Sequence, residues 1–243
     1  PTEWVMRPDS MLQVVTEHRC TLAWMPNFAF QFIARRTPPN RRHRYNLSSI
    51  RALINCSEPV RDSSMGEFEA AFSPIGLKSN CLHASYAMAE NVFAVTQTAL
   101  ATGPGRVSLD GPRFRAEHKV TTVSADSPGA IVFASSGPAL PGNHIRLEDE
   151  EGVILGDGQV GEIVISSDTL FEGYLNRPDL TAEVVEDGWY RTGDLGFTLD
   201  GELFVVGRKK DLLIVAGENI YPQDIEEAAS EHPAVHEGRA IAL

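Results

Sequence analysis

Apolar residues in this chain come in short runs separated by polar, glycine and proline breaks, the pattern of short strands mixed with helices. After Pro8-Asp9-Ser10, the residues Met11, Leu12, Val14 and Val15 give a helix one apolar face. Residues 21–25 read as a short buried strand, stopped by Pro26-Asn27. Phe28, Phe30, Phe32 and Ile33 form a second apolar run, either plain core or the wall of a tunnel for a long apolar substrate. Residues 51–55 read as a buried strand broken by Cys56-Ser57-Glu58-Pro59. Ser64-Met65-Gly66-Glu67 fits a capping box. The helix it opens carries Met65, Phe68 and Phe72 on one face and ends at Ser73-Pro74 and Gly76. This order puts residues 57–59 at the carboxyl end of a strand, the edge where open α/β sheets collect ligands.

Residues 82–86 predict another strand, with 87–90 turning into a helix through Val92, Phe93, Val95 and Thr96. A second polar site, Tyr86 to Glu90, then lies at a second strand end. Residues 101–129 are rich in Gly, Pro, Ser and Arg and read as a long loop with short extended pieces. From residue 130 the pattern is β-rich, with strands at 130–134, 144–147, 161–165 and 202–206. Glu151-Gly152, Asp157-Gly158 and Asp200-Gly201 are the turns between them. A strand at 211–215 follows. Tyr221-Pro222 then opens a helix with an apolar stripe of Ile225, Ala228 and Ala229. The expected fold class is α/β with a β-rich distorted barrel, leading into a small α+β domain.

Composition narrows the function classes. The 243 residues carry a formal net charge of -12, so a nucleic-acid backbone is not an expected general partner. The basic stretch from Arg35-Arg36 to Arg41-Arg42-His43-Arg44 contains Pro38-Pro39 and reads as a solvated loop. Three cysteines with no Cys-x-x-Cys pair suit a reducing, cytoplasmic compartment. No apolar run approaches the ~18 residues of a membrane span, and no signal-peptide pattern is present. With no initiator methionine, and Ala240-Ile241-Ala242-Leu243 reading as mid-strand, a fragment is expected.

The densest chemistry lies between Trp189 and Glu226. Tyr190-Arg191-Thr192-Gly193-Asp194 is followed by Gly207-Arg208-Lys209-Lys210-Asp211, then by Gly217-Glu218-Asn219 and Tyr221-Pro222-Gln223-Asp224-Ile225-Glu226. Upstream stand Asn55-Cys56-Ser57-Glu58-Pro59-Val60, Tyr86-Ala87-Met88-Ala89-Glu90, Gly161-Glu162-Ile163 and Gly173-Tyr174-Leu175-Asn176. On these residues the chain resembles the adenylate-forming (acyl-activating) superfamily, and within it most of all the long-chain fatty-acyl-AMP ligases. Many relatives outside that branch carry Thr where this chain has Ala89, and Ala87 replaces the usual Gly.

The resemblance implies ATP-dependent activation of a fatty acid to its acyl-adenylate, with magnesium. It also implies handover to the phosphopantetheine thiol of an acyl carrier protein or polyketide synthase. By resemblance Asp194 accepts hydrogen bonds from the ribose diol, Arg208 donates to ribose or phosphate, and Glu90 is the magnesium-associated carboxylate. Tyr86 packs on adenine beside Ala87 and Met88, while Ser57, Glu58 and Pro59 form the adenine-edge loop. Lys210 is the hinge of the small domain, and Gly217 is where the thiol approaches. Glu90 and Arg208 are thus the candidate catalytic groups. Read alone, each has a plainer role: Asp194 a turn residue, Glu90 a helix-start acid, Lys210 a solvated lysine, Gly217 a tight turn.

The resemblance also implies boundaries. Residues 1–129 would be the α/β part of a large AMP-binding domain, 130–207 its β-rich subdomain, and 208–243 the hinge and start of the small domain. The family's phosphate loop and its C-terminal catalytic lysine have no counterpart in the chain, so by itself it is expected not to complete adenylation. An acyl-CoA synthetase is the near alternative, and a non-catalytic nucleotide- or adenylate-binding module the distant one.

Overall fold

The structure is a computed structural model and describes residues 2–100, 102–215, 218–230, 232, 234, 235, 240 and 242. The first half is layered. Strands β1 (Leu22–Met25), β2 (Ala52–Asn55), β3 (Leu82–Met88) and β4 (Phe93–Gln97) form one sheet in that order. The first three run parallel, and β4 returns antiparallel to β3. Helices α1 (Thr2–Met6), α2 (Ser10–His18), α3 (Asn27–Arg36), α4 (Pro39–Arg42) and α5 (Asp62–Phe72) complete this half. Leu12, Phe30, Ile33, Leu53, Met65, Phe68 and Phe72 are its buried core.

Several expectations change here. β1 is not a buried strand. As an edge strand it buries Met25 and leaves Leu22 and Trp24 about half exposed. The Phe28–Ile33 run is helical, with Phe30 and Ile33 buried and Phe28 on the surface. The capping box does not form. α5 begins at Asp62, and the Ser64 hydroxyl lies inside it, accepting a hydrogen bond from Asn27. Glu67 pairs with Arg35 instead of reaching back. Nor is the basic stretch simply solvated, since Arg42 donates to the carbonyls of Ala34, Thr37 and Ala71. It thereby satisfies carbonyls that the ends of α3 and α5 leave unpaired.

The helix expected through Val92–Thr96 is strand β4. Its apolar spacing suits a helix, but Val92 turns the chain at φ 36° and β3 offers a free edge. Once paired, the Thr96 hydroxyl donates to the Ser136 carbonyl and accepts from the Tyr86 N–H. The long loop of 101–129 likewise holds strand β5 (Arg106–Asp110) and helix α6 (Gly111–Glu117). The Asp110 carboxylate caps α6 by accepting the Arg113 N–H, with Pro112 in the first turn.

The β-rich half follows. β5 pairs with β6 (Ala130–Ala134). Strands β7 (Asn143–Glu148), β8 (Gly161–Ser167), β10 (Trp189–Leu199) and β11 (Glu202–Arg208) form an antiparallel sheet in the order β11-β10-β8-β7. Helix α7 (Pro178–Val184) and the short strand β9 (Val185–Glu186) lead into β10. The β-rich expectation holds, with β10 longer than the motif reading implied. Past β11, residues 209–211 make a single 3-10 turn. The antiparallel pair β12 (Leu213–Val215) and β13 (Glu218–Ile220) and the helix α8 (Pro222–Ser230) are the last elements among the described residues. The α8 stripe is uncovered at Ile225 and Ala228.

Candidate functional site

The long strand β10 carries the centre of the site. Its ladder to β8 is regular at Tyr190 and Arg191, slips, and resumes at Leu195. Thr192, Gly193 and Asp194 occupy that irregularity, with Gly193 at φ +72°, a conformation that favours glycine. Such bulges re-aim side chains beside ligand sites. The bulge is pinned from below: Thr192 donates to the Ile163 carbonyl, and the Gly193 N–H to Glu162. Glu162 also holds Arg191 and Lys209. The buried Glu148 pairs with Arg146 and Arg191.

Asp194 is thereby aimed at two partners. The Tyr86 hydroxyl donates to its Oδ2 at 2.7 Å, and Arg208, opposite it in the β10–β11 register, approaches its Oδ1 at 3.3 Å. Burial raises the Asp194 carboxyl above its ordinary value, against the Tyr86 hydrogen bond and the Arg208 charge; the Glu90 charge adds to the rise. Burial also lifts the Tyr86 phenol well above its usual range, and the Asp194 charge adds to that.

Glu90 stands in the 3-10 turn of residues 89–91 between β3 and β4. Its backbone carbonyl accepts the Phe171 N–H, and its Oε1 accepts the Tyr174 hydroxyl at 3.0 Å. The Tyr174 and Tyr190 oxygens lie 3.2 Å apart. Residues 57–59 form the loop after β2, with Ser57 at φ +72°. The Glu58 carboxylate turns back to accept the Phe28 N–H at the start of α3, so this side chain is occupied structurally. Asn27 braces the same loop. Its Oδ1 accepts from Asn55 and from the Arg61 N–H, and its amide donates to Ser64. Asn27→Ala is expected to cost about 2 kcal/mol, since it removes buried hydrogen bonds and strands the Asn55 amide. Urea unfolding and faster amide exchange at 57–61 would register it.

The structure thus brings the Tyr86–Glu90 segment together with Asp194 and Arg208, more than a hundred residues on in the chain. Ala87 and Met88 end β3 between Tyr86 and Glu90. Of residues 57–59, only Pro59 lines a cavity of about 390 Å³, with Phe114, Phe133, Val206 and Tyr221 also in its lining. That lining includes none of Tyr86, Glu90 or Asp194. Lys210 is exposed in the turn that follows Arg208. Gly217 lies outside the described residues. Sequence reasoning assigned no role to Tyr174, Tyr190 or Glu162, although all three stand in the motifs it singled out. The remaining signal was chemical: a phenol and a carboxylate near strand ends, Tyr190 and Glu162, and a phenol in the loop before α7, Tyr174.

The donor set suits a nucleotide and a hard cation. Each Asp194 oxygen has a second lone-pair direction beyond its present partner, enough for a diol. Glu90 presents Oε2 with no hydrogen-bond partner among the described residues. A carboxylate of this kind, completed by phosphate oxygens and water, is how magnesium is commonly held.

Comparison with known proteins agrees with this chemistry. A family model described as AMP-binding enzyme matches residues 1–175. The chain is 34% identical over 227 residues to a Caulobacter vibrioides protein named as an acyl-CoA synthetase, covering 93% of the chain and 40% of that protein. It is 34% identical over 254 residues to the medium-chain-fatty-acid–[acyl-carrier-protein] ligase JamA of Moorena producens, covering 100% of the chain and 43% of the relative. A solved structure from work on fatty acyl-adenylate ligases of E. coli and L. pneumophila superposes with a TM-score of 0.93 at 32% identity, covering 99% of the chain and 44% of that structure. The chain therefore spans about two fifths of the length of the curated relatives it matches. No helix among the described residues is long and apolar enough to cross a membrane.

Proposed function

The chain belongs to the AMP-binding enzyme family, and on that premise we propose that it is part of a ligase that activates a fatty acid as fatty-acyl-AMP. One observation carries the reading: Asp194, held by Tyr86 and flanked by Arg208, shares a neighbourhood with Glu90. In this reading Asp194 is the ribose-binding carboxylate and Glu90 the metal-binding one, near enough to feel each other's charge. In the proposed reaction the fatty-acid carboxylate attacks the α-phosphate of ATP and pyrophosphate leaves. A carrier-protein thiol then attacks the acyl carbonyl and AMP leaves.

In this reading Asp194 fixes the ribose and Arg208 supplies a fork of donors that lysine lacks. Tyr86, Ala87 and Met88 border the base, with the 57–59 loop at its edge. Glu90 holds magnesium, which when bound offsets phosphate charge. Residues 130–207 serve as the β-rich subdomain, and Lys210 is the hinge of a small domain starting at residue 208. Gly217 is the place of thiol approach. By itself the chain does not make acyl-AMP, because the family's phosphate loop and terminal lysine have no counterpart in it. The setting is cytoplasmic.

The test is incubation with ATP, magnesium and fatty acids of several lengths. It is run on the chain and on a full-length protein that includes it, with acyl-AMP as readout. Acyl-AMP from the full-length protein that discharges onto a phosphopantetheinylated carrier and not onto CoA supports the reading. Acyl-CoA would move it to the synthetase that the Caulobacter relative's name describes. AMP binding without any adenylate would leave a non-catalytic module, and acyl-AMP from the chain alone would overturn the expected inactivity.

A further inference from the structure

We infer that Tyr174 is a positioning residue for Glu90, fixing one carboxylate oxygen so that the other faces the metal; the inference rests on the function proposed above. Tyr174 stands next to Leu175, whose side chain is 90% exposed, yet it turns inward. Its ring packs edge-on against Phe171 at 4.9 Å, and Phe171 packs edge-on against Tyr190 at 5.5 Å. Its backbone N–H donates to the Thr181 hydroxyl, which itself donates to the Arg177 carbonyl. The phenol is therefore held by its ring and by its backbone.

Counting hydrogens sets the direction of the chain of phenols. A phenol has one hydrogen. The Tyr174 hydrogen goes to Glu90 Oε1, so at the 3.2 Å contact it is Tyr190 that donates to Tyr174. That second bond polarises the first. The last torsion of a glutamate is broad and nearly free. A donor on one oxygen restricts it, and the Phe171 N–H on the Glu90 carbonyl fixes the backbone at the same residue. Because the donor is neutral, it orients the carboxylate without offsetting the charge that attracts a cation, as an arginine there would. Partners of this kind, one step behind a metal ligand, typically change metal affinity about 10- to 100-fold when removed.

The experiment uses the full-length protein that includes this chain, with Mn2+ as the probe, counted by electron paramagnetic resonance in the presence of ATP. Metal-free AMP affinity is measured alongside. For Tyr174→Phe, Mn2+ binding is expected to weaken about tenfold, and the magnesium needed for half-maximal adenylation to rise by the same factor. AMP affinity without metal is expected to stay within about twofold. Tyr190→Phe is expected to act in the same direction by about threefold, and it decides the matter if Tyr174→Phe does not fold. Unchanged Mn2+ affinity in both variants would overturn the inference while leaving the proposed function standing. So would equal losses of Mn2+ and AMP, the mark of a purely structural role. A wild-type protein that makes acyl-AMP yet adds no Mn2+ affinity to that of ATP alone would remove the metal role of Glu90 itself. One that makes no acyl-AMP would remove the function.

Discussion

Asp194→Asn is expected to weaken AMP binding about 100-fold and, at pH 7, to raise the melting temperature of the chain. The binding loss follows from lone pairs. In the wild type one oxygen accepts Tyr86 and the other faces Arg208, and each can still accept a ribose hydroxyl. An asparagine keeps one acceptor, which the Tyr86 hydroxyl claims, and turns an NH2 toward Arg208 and the diol. Two charge-assisted hydrogen bonds lost at about 1.5 kcal/mol each make about 3 kcal/mol, or roughly 100-fold. The stability gain follows from the direction of the carboxyl's shift. Burial raises it, so the folded state favours the protonated form. The stability this group contributes is fully present below the ordinary aspartate value and is lost as pH rises through the raised one. At pH 7 the ionised Asp194 is therefore a net burden on the fold, and asparagine removes it. The exposed half of the Arg208 pair returns little. Calorimetric AMP titration and thermal melts at pH 7 and at pH below the aspartate range check both halves. A lower melting temperature for the variant at pH 7 would mean that the carboxylate supports the fold, not function at the fold's expense.

The same residues show what could be read from the sequence. Asp194, Arg208 and Glu90 could be singled out because their neighbours form motifs, and the fold pairs Asp194 with Arg208 within reach of the Glu90 charge. The bulge that aims Asp194 was not legible, because it depends on strands β8 and β11 flanking β10 on both sides. Gly196 lies in mid-strand. A Cβ there would meet the Phe204 carbonyl at 2.7 Å and Ile163 at 2.9 Å, so glycine serves close strand approach. Val92, Phe93, Val95 and Thr96 misled because spacing over five residues cannot tell a helix from a strand. The capping box at Ser64 misled because a distant Asn27 takes its hydroxyl. Local signals set element type where no partner competes for the same groups. Tertiary pairing decides wherever one does.

Phe197→Ala tests how far the site depends on the core behind it. Phe197 lies three residues beyond Asp194 on β10 and is fully buried. It stacks on its cross-strand partner Phe204 at 4.8 Å with the rings nearly parallel, and meets Phe133 and Phe114 edge-on. Truncation removes the apolar contacts and leaves a hole that four rigid elements cannot close, so a loss of about 3–5 kcal/mol is expected. For a chain of this length that lowers the melting temperature by roughly 8–15 °C. The urea midpoint should fall with an unchanged slope, since the surface exposed on unfolding barely changes. Phe197→Leu, which keeps most of the volume, should lose only about 1–1.5 kcal/mol. Asp194 takes its position from polar contacts: its N–H donates to Thr192, its Oδ2 accepts the Tyr86 hydroxyl, and the neighbouring Gly193 N–H donates to Glu162. AMP affinity measured in the cold, well below the variant's melting temperature, is therefore expected to stay within about threefold, a small coupling carried by Tyr86, which lies in the same buried cluster as Phe197. A collapse of AMP affinity in a variant that is still folded would show that the bulge at 192–194 is shaped by the aromatic stack beneath it, and that core and site form a single cooperative unit.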